Sequence, residues 1–336
     1  MNQIKGKQSI EFENPPRIIS GASVVGKKEG EGPLGHLFDL VNEDPMFGED
    51  SWEKAESTMQ KEAAKLAVRK AKLEEWQIRY AFSGDLLGQL IATSFGLKEM
   101  QLPVFGLYGA CSTMGEALQL GSMTVNAGYA DYVLCMASSH FGSAEKQFRY
   151  PLEYASQRPL SATWTVTGCG AFVLGRKGGH VKISGITTGK IIDYGVKDSL
   201  NMGACMAPSA ADTIYQNFMD FDRGPQDYDK IITGDLGSIG KEILIRLLKD
   251  QGYDISGQHT DCGLEIYDAK TQDTHSGGSG CGCSAVTLGA YILDQLAEGN
   301  WNRVLFVPTG ALLSTVSFNE GQSIPGIAHA AVLERI

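Results

Sequence analysis

Between residues 51 and 76 the apolar positions Ala55, Met59, Ala63, Leu66, Ala67 and Leu73 recur three or four apart, with Lys and Glu between them. That spacing predicts an amphipathic helix. Residues 26–51, just before it, are polar, rich in Gly, Pro and acid, and aperiodic, so they read as a long surface loop. Shorter apolar runs follow: strands at 78–82 and 102–107, a helix at 112–125 whose sole charge is Glu116, and strands at 132–137 and 171–174. The second half replays the order with strand 181–186, helix 209–219, strand 228–233 and helix 239–248. A weakly charged helix at 283–296 and strands at 303–307 and 328–333 complete it.

The replay extends to residues. IRYAFSGDLLG at 78–88 matches DKIITGDLGS at 229–238, which pairs Asp85 with Asp235. GACSTMGEALQL and GYADYVLCMASS, within 109–139, match GCGCSAVTLGA and GNWNRVLFVPTG, within 280–310. The second half is longer between these anchors, and polar residues 250–276 hold the extra length. Strand–helix alternation given twice predicts two related α/β halves, 1–177 and 178–336, with buried sheets and helices sandwiched between them.

The chain has 336 residues, 43% of them hydrophobic, which supplies a full core. A formal net charge of −10 argues against a nucleic-acid footprint and against unaided docking on anionic lipid. The N-terminus lacks the apolar core of a secretory signal, and the uncharged stretches 100–115 and 276–293 are broken by Gly and Pro, so neither reads as a membrane span. Seven cysteines inside apolar runs then read as reduced thiols in a cytosol-like compartment.

The sharpest chemical signal is FGLYGACSTMG at 105–115, where a strand enters a Gly-Ala-Cys turn and a buried helix begins. Cys111 would sit at a helix N-terminus, where partial positive charge favours thiolate, or it is a small buried space-filler. GACSTMGEAL, then ADYVLCMASS, then TGCGAFVLG together resemble the thiolase and β-ketoacyl synthase superfamily. That resemblance implies a duplicated five-layer αβαβα fold. GPLGHLFD, SSHFGSAEKQFRYPLEY, MAPSAADTI, GGSGCGCSAV and IPGIAH are closer to one branch, the stage V sporulation protein AD family of endospore-forming bacteria.

Departures from the enzymes bear on mechanism. Condensing enzymes activate their cysteine with a His after the strand that corresponds here to 228–233, and this chain reads ITGDLGSIG there, without His. Their Asn position falls at Gly280-Cys281-Gly282. The family resemblance implies a non-catalytic binder of dipicolinic acid (pyridine-2,6-dicarboxylate), taken up with or without calcium, in which Cys111 marks a vestigial nucleophile position. It implies no cofactor, integral-membrane partners of a sporulation complex, and peripheral attachment at the inner spore membrane. Self-association as a homodimer stays open, and the opposing reading is an acyl-CoA or acyl-carrier-protein condensing enzyme using Cys111.

A planar dianion calls for guanidinium forks and aromatic faces. Cys111, His140, Arg149, Arg158 and Tyr154 are the expected ligand contacts, with Lys146 in the same segment. Residues 234–242 fail the phosphate-loop pattern, since Asp235 and Glu242 stand where Gly and Ser/Thr are needed. Cys281-Gly-Cys283 is too closely spaced for a paired zinc ligand set, and His275 sits in a poor match to a catalytic string. Asp85 and Asp235 read as caps of strand-to-helix turns.

Overall fold

The computed structural model describes residues 3–149, 153 and 157–336. Ten strands form the continuous path of a thirteen-stranded main sheet, and five come from each half of the chain. The first five are β1 (Arg17–Gly26), β2 (Tyr80–Gly84), β3 (Val104–Leu107), β4 (Tyr132–Ser139) and β5 (Gly168–Gly175). The others are β6 (Val181–Thr187), β7 (Lys230–Thr233), β8 (His259–Asp261), β9 (Arg303–Val307) and β10 (Ala330–Arg335).

In space the order is β8-β7-β9-β10-β6-β1-β5-β4-β2-β3. Each half therefore runs third, second, fourth, fifth, first, and the strand directions agree as well. The second strand pairs parallel with the third and fourth, and the fifth pairs antiparallel with the fourth and first. A seam of two residue pairs, Val181 with Ile18 and Lys182 with Arg17, joins β6 to β1.

Six helices matter for the layers: α1 (Trp52–Lys70), α2 (Thr113–Asn126), α3 (Phe141–Phe148), α4 (Met202–Phe221), α5 (Gly237–Asp250) and α6 (Cys281–Thr287). Ser51 caps α1 by accepting from the Lys54 amide, and the helix lays Ala55, Met59, Ala63 and Ala67 against Ala22, Val24, Ala171 and Val173. On the far side, α4 and α5 cover Ile231, Leu305 and Val332 with Ala210, Ile214, Leu244 and Leu248.

Between the two five-stranded halves of this sheet lie α2 and α6, and every residue of α6 is buried. The approach of α6 to β5 is set by glycine. A Cβ on Gly170 would stand 2.5 Å from the Ala285 backbone, and one on Gly282 would stand 2.3 Å from the Gly168 carbonyl oxygen. Five layers result, because sheets buried on both faces need helices on both.

Beneath α3 a buried polar chain crosses the first half. Gln60 donates to Thr93 Oγ1 and Ser138 Oγ; these hydroxyls donate on to Asp85 and Glu56. Ser143 of α3 supplies Glu56 with its second donor at 2.7 Å. Burial, aided by the Asp85 charge, pushes the Glu56 carboxyl up to about 8.

Four segments differ from the pattern reading. Residues 26–51 are an anchored segment: a short helix (Lys27–Gly30) buries Glu29, and a strand (Leu40–Asn42) pairs with β1. Tyr267 and the Thr167 amide both donate to Glu29. Residues 250–276 hold the edge strand β8, the counterpart of β3. The helix read at 209–219 starts at Met202 and carries Pro208 inside it. The helix read at 283–296 is α6 continued by a π-helical turn (Leu288–Ile292) and a last helix (Leu293–Glu298).

Candidate functional site

β3 ends at Leu107 and the chain turns through Tyr108, Gly109 and Ala110 into Cys111 and α2. Ala110 holds φ at +50°, a left-handed conformation that costs an alanine about 1 kcal/mol or more. Both halves of the chain hold it there. Thr113 Oγ1 and Cys281 Sγ donate to the Ala110 carbonyl at 2.7 and 3.0 Å. Gly310 closes in from the second half, where a Cβ would lie 2.6 Å from the Gly109 carbonyl oxygen.

Cys111 keeps partial exposure onto a cavity of about 330 Å³. Leu86, Tyr108, Phe148, Met202, Met206, Leu312 and Leu313 give it apolar walls, and Thr165, Ser279, Ser314 and Thr315 add hydroxyls. Among its described lining residues, Arg149 is the one cation and Glu145 the one carboxylate. The two are paired at 2.7 Å, with the Glu145 side chain 2% exposed.

Behind the cavity, the positions that would complete a condensing site have gathered around Cys111. Asp235 follows β7 and is hydrogen-bonded to the Cys111 thiol. Its other partners are Ser279 Oγ and the Gly280 amide, both at 3.1 Å, and Thr309 Oγ1 at 2.8 Å. Burial pushes the Asp235 carboxyl up to about 6, leaving it largely ionised at neutral pH. Burial and that adjacent charge hold the Cys111 thiol well above its ordinary range. The Cys281 thiol donates to the Ala110 carbonyl. A carboxylate and a second thiol beside Cys111 disfavour thiolate instead of generating it.

Asp85 caps its own turn through the Leu87 amide, as the sequence suggested. Asp235 does not. The corresponding cap is Asp261, which takes the Leu236 and Gly237 amides at 2.9 and 3.1 Å and leaves Asp235 free to face Cys111.

The expected ligand contacts separate. Cys111 and Arg149 reach the cavity. His140 does not: it is 2% exposed, its Nδ1 accepts from the Gly142 amide as the cap of α3, and its Nε2 donates to the Pro45 carbonyl at 2.8 Å. Trp52 packs on its ring at 5.4 Å, and burial lowers its pKa. Arg158 lies off the cavity wall as well. Its Nη2 donates to the Asp273 carbonyl and carboxylate, and its guanidinium sits 4.8 Å above the Trp164 ring. Lys146 is exposed and paired with Glu53. Tyr154 lies outside the described residues.

Sequence reading missed Glu145, Met202 and Met206, which are ordinary helix residues until the layers bring them to one wall with Phe148, an aromatic of the basic segment that the sequence does offer as a stacking face. Asp235 had a visible signal, since ITGDLGSIG occupies the place of the missing His. Its reading as a cap hid that.

Solved structures with this architecture are condensing and acyl-transfer enzymes. The 3-oxoacyl-[acyl-carrier-protein] synthase III of Aquifex aeolicus superposes with a TM-score of 0.57 at 14% identity, covering 95% of this chain and 99% of its own. The tetronic acid condensing enzyme AbyA1 gives 0.59 at 16% identity, covering 94% and 99%. The Acat5 thiolase of Ascaris suum, solved with coenzyme A, gives 0.56 at 12% identity, covering 96% and 100%. At such identities the likeness establishes a thiolase-like fold and nothing of the chemistry. Sequence similarity is more specific. The stage V sporulation protein AD of Bacillus subtilis (strain 168) is 43% identical over 333 residues, covering 99% of this chain and 98% of that protein. With the family model also matching residues 6–334, the chain belongs to the stage V sporulation protein AD family.

Proposed function

We propose that this sporulation protein is a non-catalytic binder of dipicolinic acid, serving a membrane complex that moves calcium–dipicolinate into the forming spore and out again at germination. The observation that carries the reading is the pairing of an open cavity with a disarmed cysteine: Cys111 faces about 330 Å³ of space while burial, aided by the Asp235 charge, holds its thiol well above its ordinary range. Tyr108 and Phe148 offer flat apolar faces to a pyridine ring, and Arg149 offers a fork for one carboxylate. Calorimetric titration with dipicolinate, with and without calcium, tests the binding. Incubation with a panel of acyl-CoAs tests the enzyme reading, and covalent mass gain on Cys111 would replace the binder with a transferase.

No helix of the described residues is long and apolar enough to cross a membrane. Attachment then runs through integral-membrane partners of the complex and not through lipid. Binding of the isolated protein to protein-free anionic liposomes at physiological salt would overturn this.

A further inference from the structure

Three buried polar atoms have no hydrogen-bond partner: Glu145 Oε2, on the cavity lining, and Arg158 Nε and Nη1, off it. An unmet carboxylate oxygen and two unmet guanidinium donors are each expensive to bury. They belong to groups of opposite sign that already act on each other, since the Arg158 charge pulls against the burial that raises the Glu145 carboxyl. Arg158 is also under-neutralised. Its one carboxylate partner, Asp273, is 77% exposed, while the Lys28 ammonium stands over the same Trp164 ring at 4.3 Å.

The cavity has the converse problem. Arg149, its one described cation, is already occupied by Glu145 at 2.7 Å. A dicarboxylate entering this space must displace Glu145 from Arg149 or lie against a second negative charge. Both are unfavourable unless the displaced carboxylate has somewhere to go.

We propose that Glu145 is a two-position latch, paired with Arg149 in the empty cavity and received by the unpartnered Nε and Nη1 of Arg158 when a ligand carboxylate takes Arg149. This rests on the dicarboxylate-binding reading above and assigns Arg158 a positioning role in it. Ligand entry then exchanges one ion pair for two, and the neutral rest state keeps Arg149 from holding stray anions. The same arrangement selects for carboxylates able to match the Arg149 fork, because a weaker anion cannot displace Glu145.

The test is a double-mutant cycle on dipicolinate affinity with Arg158→Met, Glu145→Gln and the pair, each checked for folding by circular dichroism and thermal unfolding. Arg158→Met is expected to weaken binding about tenfold or more in the otherwise native protein. In the Glu145→Gln background the same change should shift affinity by less than about twofold, because no carboxylate remains to be received. Glu145→Gln alone should bind at least as tightly as the native protein. Arg158→Lys should restore part of the loss, which separates charge reception from mere packing on Trp164. Equal losses in both backgrounds would make Arg158 a direct ligand contact and overturn the latch while sparing the binding reading. Absence of dipicolinate binding by the native protein would overturn both.

Discussion

The Asp235 carboxylate lies beside the Cys111 thiol. Its charge opposes the one ionisation that a nucleophilic cysteine requires. Asp235→Asn keeps one acceptor oxygen, for the Gly280 amide and the Ser279 hydroxyl, turns an NH2 to the Thr309 hydroxyl as a donor, and removes the charge. Alkylation of Cys111 by iodoacetamide at pH 8, followed by mass spectrometry of the folded protein, should speed up about tenfold for each pKa unit recovered. An unchanged rate would show that burial alone, without Asp235, silences the thiol.

Cys111 should matter as a wall and not as a reagent. Cys111→Ala removes a small contact, so dipicolinate affinity should change by less than about threefold, worth under about 0.7 kcal/mol. Cys111→Trp fills the cavity floor and should abolish binding. Unchanged affinity in a folded Cys111→Trp protein would place the ligand elsewhere.

His140 should behave as a structural residue. Its two ring nitrogens hold the Gly142 amide and the Pro45 carbonyl, so His140→Ala should lose about 1–3 kcal/mol in urea unfolding. Dipicolinate affinity of the folded fraction should stay within about twofold. A selective loss of affinity with unchanged stability would return His140 to the ligand site.

Glu56 predicts a pH signature. Its folded pKa, about 8, lies above the ordinary 4.5, so the folded state holds the extra proton. The stabilising contribution is complete below about pH 4.5 and is lost as pH rises through about 8, because ν_U − ν_N is negative across that window. Glu56→Gln cannot titrate. The unfolding free energy of the native protein minus that of the variant should therefore fall steadily between pH 5 and pH 8.5 and flatten above. A flat difference curve would mean that Glu56 is ionised throughout.

Arg149→Ala should weaken dipicolinate binding roughly 10- to 150-fold, the range for one charge-assisted hydrogen bond. The variant also releases Glu145, which the unpartnered Arg158 donors can receive, so the loss should be nearly the same at neutral pH and at pH 5. A loss that deepens at neutral pH would show that Glu145 stays in the cavity as a stranded carboxylate and would count against the latch.

The layered fold was legible because strands such as β4 and β9 are apolar runs and α2 carries a single charge, Glu116. β1 was not. Its Ser20 and Ser23 break the apolar run, and their partners, the Ala67 carbonyl and Asp39, are supplied by elements that local pattern does not reveal. α3 escaped for another reason, since eight residues offer too little periodicity to stand out from a loop. At the site, Cys111 was readable because a strand–turn–helix junction fixes where its side chain emerges. His140 and Arg158 do not line the cavity, because nearness along the chain says nothing of direction. One ring turns down to cap α3, and one guanidinium turns away to Asp273 and Trp164.

The contact of Gly310 with the Cys111 turn has a consequence for how this cavity can change. A Cβ on Gly310 would meet the Gly109 carbonyl oxygen and the Ser112 amide, so the turn that carries Ala110 and Cys111 into the cavity is fixed by backbone contact. No side chain can be added at Gly310 without moving that turn. Variation in ligand size is therefore left to the rim: Met202 and Met206 from α4, Phe148 from α3, and the 312–315 segment. Methionine and loop positions tolerate substitution, whereas glycine-mediated contacts do not. Relatives that accept a larger or smaller guest should differ along this rim and keep the same floor.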